Sequence, residues 1–528
     1  MNVSSSVIGS VEQATTMWEL VEARAAATPD VVVLYDEDRE ITFAELRDLS
    51  ERVAAGLHAF GIHHGSRVTW QLPTRIETVV VSLALARLGA VQNPIIPIYR
   101  DREVGFVISQ TRAEYFLIPG DWNGFDFNEM AIRLAEEHGI APEVMLAYDS
   151  LPEADPVSLP PAPTDGDEVR WIYYTSGTTS APKGVRHTDR TLMAGGYGLA
   201  DAVRLTADDV GSIAFPYAHI AGPDYLMMLL YRGCGAVLVE AFNIDRATEL
   251  FARRGATMAG GGPAFYQMYL AKQRTQPGVP IIPSLRLLSG GGAPKPPEMY
   301  TEVMAEMGIP ICHGYGMTEC PMIAQGGPDD TEAQLMYTDG APVTACEVTI
   351  VTADGAVAPQ GVDGEVRLRG PMVFKGYTDP SLDADAFDAE GRFRTGDLGH
   401  LDADGHVVLT GRLKDVIIRK GENISAKEIE DLLYQHPKVA DVAVIGLPDR
   451  ERGERVCACV ERAPGTDDLT FDEMVEYLRA ADLMVQKIPE QLEVMDELPR
   501  NQTLRKVLKN ELRDMYRDAP WEPAPRKA

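Results

Sequence analysis

The sequence predicts an α/β protein with a large N-terminal domain of layered sheets and helices, a β-rich subdomain, and a small α+β C-terminal domain. Helix and strand patterns alternate over about the first 340 residues, which is typical of sheets covered by helices. Short strands separated by Asp-Gly turns follow, and a compact mixture of strands and helices comes last. The 528 residues, 45% of them hydrophobic and 24% charged, are enough for a large core and more than one domain.

The N-terminal alternation begins with Thr42-Phe43-Ala44-Glu45, a capping box that predicts a helix running to about Phe60. The next predicted element is a strand at 67–72, and residues 169–173 form a predicted buried strand. The other helices and strands predicted in this part of the chain lie at 76–88, 104–110, 115–118, 235–240, 246–254 and 285–289.

The β-rich subdomain is predicted from 345 to 410, where Asp-Gly dipeptides separate short apolar runs. These dipeptides occur at 354–355, 363–364 and 404–405. The C-terminal unit is predicted to contain strands at 416–418, 439–445 and 456–461 and helices at 425–434, 471–480 and 503–516.

The net charge of −30 comes from 49 basic and 79 acidic residues, and no run of lysine or arginine would follow a nucleic-acid backbone. We therefore expect no nucleic-acid partner. The six cysteines form no C-x-x-C pair, which argues against a zinc site and a disulfide framework and favours a reducing compartment. No leader pattern and no apolar stretch of membrane-spanning length is present, so the sequence predicts a cytoplasmic protein without an integral membrane segment.

The most informative segment is Tyr-Thr-Ser-Gly-Thr-Thr-Ser-Ala-Pro-Lys-Gly at 174–184, directly after a predicted strand. Hydroxyls, exposed backbone N–H groups and one ammonium are the donors that a polyphosphate needs. The loop is not a Walker-type phosphate loop, because Lys183 is followed by Gly184 and Val185 rather than by a hydroxyl residue. The alternative is a solvated turn rich in serine, threonine and glycine.

This loop resembles the T-S-G-T-T-G-x-P-K-G signature of the acyl-adenylate-forming superfamily, with Ser180 in place of a glycine. Other segments resemble further motifs of that superfamily in the same order along the chain. They are 289–294 (the G-G-A-P turn), 313–319 (Y-G-x-T-E), 394–397 (R-T-G-D), 411–415 (the hinge) and 421–424 (the segment beyond the hinge).

The resemblance implies an ATP-dependent carboxylic acid–CoA ligase, with ATP, Mg²⁺ and CoA as the cofactors or co-substrates. A substrate carboxylate would attack the α-phosphorus of ATP and release pyrophosphate, and the thiol of CoA would then take the acyl group from the adenylate and release AMP. It also implies two domains, 1–411 and 412–528, with Lys414 as the hinge of a mobile small domain. A carrier-loading adenylation enzyme, a luciferase-like oxygenase and a catalytically weakened nucleotide-binding regulator remain alternatives, and the acid could be a fatty, alicyclic or aromatic one.

The resemblance assigns nucleotide roles to several residues. Tyr315 would stack on adenine, Asp397 and Arg412 would bind ribose, Thr318 would contact the α-phosphate, and Glu319 with Thr178 would hold the metal. The residues expected to bind ATP are Thr175, Ser176, Gly177, Thr178, Thr179, Lys183, Gly291, Gly292, Ala293, Pro294, Gly314, Tyr315, Gly316, Met317, Thr318, Asp397 and Arg412.

The remaining roles concern the acid, the thiol and catalysis. His219 would border the acid pocket and gate the thiol tunnel, although a lone histidine among apolar residues is more often structural. Lys506 is the candidate catalytic lysine, but the usual Gly-Lys is replaced by Leu504-Arg505-Lys506, so Arg505 could reach the site instead. The expected catalytic residues are Lys506, Glu319, Thr178 and His219; Gly261, Gly262 and Gly290 join His219 at the acid; and Lys420, Gly421 and Glu422 would meet CoA.

Overall fold

The computed structural model describes residues 11–139, 141–175, 182–420, 422–450, 452–501 and 505–517. The α-helices described in full, numbered α1 to α15, are Met17–Ala27, Phe43–Phe60, Ile76–Leu88, Asp101–Thr111, Phe127–His138, Asp189–Ala202, Ala221–Arg232, Ile244–Arg254, Pro263–Arg274, Pro297–Met307, Glu332–Tyr337, Asp383–Ala386, Ala426–Tyr434, Phe471–Ala480 and Lys509–Tyr516.

The strands, numbered β1 to β26, are Val32–Tyr35, Glu40–Thr42, Arg67–Trp70, Val91–Pro94, Tyr115–Ile118, Asp121–Trp122, Phe125–Asp126, Glu143–Leu146, Val169–Tyr174, Gly184–Thr188, Val210–Ile213, Gly235–Leu238, Met258–Gly261, Leu287–Gly291, Ile311–Met317, Cys320–Gln325, Ala341–Pro342, Glu347–Val351, Gly364–Arg369, Phe393–Leu401, Val407–Arg412, Ile417–Arg419, Glu422–Ile424, Val439–Asp449, Gly453–Arg462 and Gln491–Met495.

Three sheets form the large N-terminal part of the molecule. The six-stranded sheet has the order β10-β9-β4-β3-β5-β8, and its neighbours are parallel except for the β9–β10 hairpin. The second sheet has the order β11-β12-β1-β2 and the third β13-β14-β15-β16-β17. Helices pack against these sheets around one large apolar core that includes Trp18, Trp70 and Trp171. This is the layered α/β architecture that the alternation predicts.

The β-rich subdomain is the antiparallel sheet β18-β19-β20-β21, with its own apolar core. The C-terminal unit has the sheet β23-β22-β25-β24, with β26 added parallel to β25 and α13 and α14 packed beside it. The predicted fold class is confirmed. None of the helices in the described ranges is both long and apolar enough to cross a membrane.

Local sequence signals place many elements correctly. Helix α2 begins at the capping box, where the Thr42 hydroxyl accepts from the Glu45 N–H and the Glu45 carboxylate accepts from the Thr42 N–H.

The predicted Asp-Gly turn at 363–364 is wrong, because Gly364 begins β19. The left-handed turn residue is instead Gly361, with φ of +75°.

The last predicted helix is also wrong at its N-terminal end: α15 begins at Lys509 rather than 503. Arg505 has φ of +56°, which an α-helix does not allow. Val507 instead forms an antiparallel bridge with Arg500. Short-range pairing therefore replaces the first turns of the predicted helix.

A buried ion pair supports β9, the strand that leads to the predicted phosphate loop. Arg170 on β9 lies 3.0 Å from the Asp189 carboxylate at the start of α6, and the two side chains are 2% and 1% exposed. The Trp171 indole N–H and the Met17 N–H also donate to Asp189. The carboxylate thus joins β9, α6 and the start of α1.

We expect Asp189→Ala to lower the free energy of unfolding by about 3–5 kcal/mol, because it leaves buried Arg170 with only the partly exposed Glu168 and removes the acceptor of the Trp171 and Met17 N–H groups. Urea unfolding followed by tryptophan fluorescence would measure the change. Asp329→Ala is the matched control, since its pair with Arg204 is largely exposed and should contribute less than about 1 kcal/mol. Equal effects of the two substitutions would contradict the role given to the buried pair.

Candidate active site

The predicted phosphate loop connects the two strands of an antiparallel hairpin, in which Tyr174 lies opposite Gly184. The Thr175 N–H donates to the Lys183 carbonyl at 3.1 Å, and the Lys183 N–H donates to Thr175 Oγ1 at 3.2 Å. These bonds close the hairpin at the base of the loop. The predicted phosphate-binding residues Ser176, Gly177, Thr178 and Thr179 lie outside the described residues.

Glu319 lies beside the end of this hairpin. The Tyr377 hydroxyl donates to Glu319 Oε1 at 2.8 Å, and the Lys183 ammonium lies 5.0 Å from the centre of the Tyr377 ring. Burial raises the pKa of Glu319, and the hydrogen bond from Tyr377 acts in the opposite direction. The lysine of the loop and the predicted metal-binding carboxylate are therefore brought together around one tyrosine.

Tyr377 is a site residue that the sequence did not predict. It forms an antiparallel bridge with Val185 of β10, and the next residue, Thr378, donates its N–H to the Gly184 carbonyl at 2.7 Å. A tyrosine in an irregular segment carries no periodic signal. Only the pairing of that segment with the edge of the hairpin places its hydroxyl against Glu319.

Thr318 and Glu319 form the two-residue turn between β15 and β16, because Met317 pairs with Cys320. Gly316 precedes them on β15, and an added Cβ there would lie 2.2 Å from the Pro321 carbonyl oxygen. The Thr318 carbonyl lies 2.7 Å from His187 Nε2. The turn is thus held by its own hairpin and by a buried histidine.

The predicted adenine site consists of closely packed backbone. Gly291 pairs with Gly314, and a Cβ at Gly291 would lie 2.2 Å from the Gly314 carbonyl oxygen. Gly292, with φ of +89°, starts the turn that continues through Ala293 and Pro294. Side chains are therefore excluded where a flat base could approach.

His313 fixes this turn, and the sequence assigned it no role. Its Nε2 lies 3.0 Å from the Ala293 carbonyl oxygen. Burial lowers the pKa of His313 to about 3, so the ring is neutral at physiological pH and donates its Nε2–H to that carbonyl.

Tyr315, Asp397 and Arg412 form a connected group at the predicted ribose site. The Tyr315 hydroxyl donates to Asp397 Oδ2 at 2.7 Å, and Arg412 Nε lies 2.8 Å from Asp397 Oδ1. Asp397 lies directly opposite Arg412 in the β20–β21 ladder, which sets this geometry. The charge of Asp397 raises the pKa of Arg412.

Lys506 reaches this group from the C-terminal unit. The pKa of Lys506 is lowered to about 8, mainly by burial and also by the nearby charges of Arg412 and Lys414, while the charge of Asp397 acts in the opposite direction. Two hydrogen bonds hold its backbone: the Lys506 N–H donates to Asn501 Oδ1, and the Asn501 N–H donates to the Lys506 carbonyl. Arg505 points elsewhere, since it is exposed and its guanidinium lies 2.9 Å from Glu497.

His219 lies near enough to Lys506 for the two groups to interact electrostatically. Burial lowers the pKa of His219 to about 4, and the charge of Lys506 contributes to the shift. The Ala221 N–H donates to His219 Nδ1 at 3.3 Å, so the neutral ring carries its proton on Nε2. With Ala218, Ile220, Tyr173 and Thr318, the ring borders a narrow cavity.

The glycines predicted to line the acid pocket pack against one another. A Cβ at Gly290 would lie 2.8–3.0 Å from the backbone of Gly261, and one at Gly262 would lie 2.8 Å from the Gly291 carbonyl oxygen. This packing explains the glycines without a ligand, and their contact with an acid stays a prediction.

The predicted hinge and CoA residues belong to the start of the C-terminal unit. Lys414 lies in the 3-10 turn Leu413–Asp415, and burial and the charge of Arg412 lower its pKa. Lys420 is exposed in the turn between β22 and β23, with φ of +51°. Gly421 and the side chain of Glu422 lie outside the described residues.

No cluster of three or more histidine, cysteine, aspartate or glutamate side chains suited to a metal ion occurs in the part of the chain that the structure describes. A cation at Glu319 would take its further ligands from residues outside the described ranges, such as the predicted Thr178, or from phosphates and water. This suits Mg²⁺, which commonly takes one or two carboxylates, substrate phosphates and water.

Comparison with known proteins agrees with this geometry. Residues 21–378 match the AMP-binding enzyme family, and residues 428–504 match the AMP-binding enzyme C-terminal domain. The medium-chain fatty-acid–CoA ligase of Escherichia coli (strain K12) is 32% identical over 493 residues, 90% of this chain and 86% of that enzyme. The salicyl-AMP ligase/salicyl-S-ArCP synthetase of Mycobacterium tuberculosis (strain ATCC 25618 / H37Rv) is 32% identical over 472 residues, 87% of this chain and 82% of that protein.

Solved structures extend the likeness to the whole fold. ATP-bound MatB from Rhodopseudomonas palustris superimposes with a TM-score of 0.85 and 29% identity, over 94% of this chain and 99% of that chain. The o-succinylbenzoate CoA synthetase MenE of Bacillus subtilis, in complex with ATP and magnesium ion, superimposes with a TM-score of 0.81 and 28% identity. The match covers 93% of this chain and 98% of that chain. The shared fold, the two matched regions and the relatives at 32% identity agree: the chain belongs to the AMP-binding enzyme family.

Proposed function

We propose that this protein is an ATP-dependent carboxylic acid–CoA ligase that works through an acyl-adenylate. What supports the proposal is that Lys506 lies near enough to His219, at the narrow cavity, and to Arg412 and Asp397, at the predicted ribose site, for their charges to interact. An ammonium at this junction can neutralise a carboxylate and an α-phosphate at once. The related CoA ligases, which act on acids as different as medium-chain fatty acids and indoleacetate, support the same reaction.

The reaction requires two anions to meet, so positive charge must be supplied where they approach. Lys183 and the Thr175 end of the hairpin would hold the outer phosphates of ATP, together with Ser176, Gly177, Thr178 and Thr179. Mg²⁺, held by Glu319 and Thr178, would neutralise phosphate charge. The Tyr377 hydroxyl occupies one oxygen of Glu319, which orients the carboxylate and leaves the other oxygen for the cation.

The adenosine half would lie on the backbone of Gly291 to Pro294, with Tyr315 covering the base and Gly314, Gly316, Met317 and Thr318 completing the wall. Asp397 already bonds to Tyr315 and Arg412. Each carboxylate oxygen can accept a second hydrogen bond, so both ribose hydroxyls can still bind.

The acid would occupy the cavity beside His219, near Gly261, Gly262 and Gly290. A neutral imidazole suits this position, because a charged one would add a second cation beside Lys506. We assign His219 to the wall between the acid and the path of the thiol.

The small domain, residues 412–528, would turn about Lys414 relative to residues 1–411 between the two half-reactions. An orientation that places Lys506 at the nucleotide site would serve adenylation, and the nearness of Lys506 to Arg412 and Asp397 supports this assignment. In the second orientation, Lys420, Gly421 and Glu422 would replace Lys506 and meet CoA.

The direct test is pyrophosphate exchange with a panel of fatty, alicyclic and aromatic acids, repeated with CoA and scored for thioester by mass spectrometry. We expect exchange that depends on one class of acid, and acyl-CoA with that acid. Exchange without thioester would indicate a carrier protein as the acceptor. No exchange with any acid would contradict the ligase proposal.

The contrast between Lys506 and Arg505 gives the first kinetic prediction. Lys506→Ala should lower the adenylation rate by about 10²–10³-fold, the scale for removing one preorganised transition-state donor. Arg505→Ala is the matched control and should change the rate less than about threefold, because its guanidinium bonds to Glu497 away from the site. Pyrophosphate exchange measures both, and the reverse pattern would show that Arg505 is the catalytic cation.

The pH dependence follows from the depressed pKa of Lys506. Because that pKa is lowered from 10.5 to about 8, the ammonium is charged below about pH 8 and neutral above it. We expect kcat/KM for ATP to fall as the pH rises through about 8, since this constant reports the free enzyme.

Lys506→Arg is the control for that profile. A guanidinium stays charged throughout the accessible range, so the fall near pH 8 should disappear even if the overall rate is lower. An unchanged fall in this variant would assign the ionisation to another group.

A further inference from the structure

Gln110, near the C-terminal end of helix α4, has no part in the proposed chemistry, yet its side chain contacts two segments of the candidate site. Its Oε1 accepts a hydrogen bond from the Tyr174 hydroxyl at 2.7 Å and another from the Thr378 hydroxyl at 2.8 Å. An amide oxygen has two lone pairs, so one atom can accept both bonds. This single atom therefore joins the end of β9 to the irregular segment that contains Tyr377.

Helix α4 holds Tyr174 in two ways. Phe106 lies one helical turn before Gln110 on α4. Its ring packs edge-to-face against the Tyr174 ring, with the two centroids 6.2 Å apart and the planes at 88°. Gln110 accepts from the hydroxyl of the same tyrosine. Because Tyr174 is the last residue of β9, α4 fixes the point at which the chain enters the predicted phosphate loop.

Gly184, on the other strand of the hairpin, leaves room for the two hydroxyls to meet. It lies opposite Tyr174 in the β9–β10 ladder, and its carbonyl accepts from the Thr378 N–H at 2.7 Å. A Cβ at Gly184 would lie 2.5 Å from Thr378 Oγ1 and 3.1 Å from Tyr174 Cζ. A side chain there would push apart the two groups that converge on Gln110.

The same contacts reach the groups proposed to hold ATP and Mg²⁺. Thr378 directly follows Tyr377, whose hydroxyl donates to Glu319 and whose ring lies 5.0 Å from the Lys183 ammonium. A shift of the 377–378 segment relative to the hairpin would move the Tyr377 hydroxyl and the Glu319 carboxylate with it. The two bonds at Gln110 oppose such a shift.

We propose that Gln110 is a positioning residue that fixes Lys183 and Glu319 relative to each other and thereby sets the affinity for the triphosphate of MgATP. It acts through Tyr174 and Thr378. The inference rests on the proposed function for the roles of Lys183 and Glu319. AMP lacks the outer phosphates, so its binding at the predicted adenine and ribose sites should not depend on Gln110.

The test measures equilibrium binding of MgATP and of AMP to the full-length protein by calorimetry. Gln110→Leu removes the acceptor from two hydroxyls, so it should weaken MgATP binding by about tenfold and AMP binding by less than about twofold. Gln276→Leu makes the same change at an exposed glutamine whose amide donates to the Val279 carbonyl, and it should leave both affinities unchanged.

Gln110→Glu is the conservative variant, because it keeps an acceptor oxygen at the same reach. Position 110 is exposed, so solvent and salt screen the added charge. At physiological ionic strength, this variant should bind MgATP within about threefold of the wild-type affinity.

Variants of the two donors give a double-mutant cycle. Tyr174→Phe and Thr378→Val each delete one hydroxyl and should each weaken MgATP binding by about threefold. Combined with Gln110→Leu, each should add less than about a twofold loss, because its acceptor is already gone. In kinetics, Gln110→Leu should raise KM for ATP, and thioester formation from supplied acyl-adenylate should not change, since that step uses no triphosphate.

Unchanged MgATP binding in Gln110→Leu, an equal loss of MgATP and AMP binding, or fully additive losses in the double variants would overturn the inference. If the wild-type protein then still catalysed pyrophosphate exchange, the ligase proposal would stand without it. A loss confined to MgATP in a protein that shows no exchange with any acid would uphold the role of Gln110 and contradict the ligase proposal instead.

Discussion

Lys506, Arg412 and Lys414 bring three positive charges close to the carboxylate of Asp397, with Asp415 also near Arg412 and Lys414, in a protein with a net charge of −30. Burial is the main cause of the lowered pKa values of Lys506 and Lys414, and repulsion from the Arg412 charge adds to it. An anion beside Asp397 would relieve this repulsion. Because Asp397 and Lys506 come from opposite sides of the proposed hinge, the same anion would also stabilise this orientation of the small domain.

Closely packed backbone and neutral histidines flank the predicted nucleotide-binding motifs. Glycines on β13, β14 and β15 let these strands pack so closely that an added Cβ would clash with neighbouring backbone. Neutral histidines hydrogen-bond to backbone carbonyls of the flanking turns. His187 and His313 both have lowered pKa values because they are buried, so neither adds charge near the cations. Lys183, Arg412 and Lys506 therefore supply the positive groups of the candidate site as far as the structure describes it, with Lys414 beside them.

Local signals in the sequence predict most of the architecture, because capping boxes, strand periodicity and glycine-rich turns act within a few residues of one another. The motif residues Glu319, Tyr315, Asp397 and Arg412 likewise lie in turns and strands that their own segments define. Tyr377 and His313 could not be found this way, since each takes its position from a contact with a segment distant in sequence. The choice between Arg505 and Lys506 depends on backbone geometry that the sequence pattern does not reveal. The left-handed φ of Arg505 and the bridge at Val507 decide which side chain faces the site.

The central claim is that this orientation of the small domain performs adenylation and that a second one performs thioester formation. The most direct measurement is to assay both half-reactions separately in Lys414→Pro, where a φ near −65° suits the present 3-10 turn and restricts rotation away from it. The account predicts that pyrophosphate exchange stays within about tenfold of wild type, while acyl-CoA formation from supplied acyl-adenylate falls by about 10²-fold or more. Equal loss of both half-reactions, or full retention of both, would contradict it.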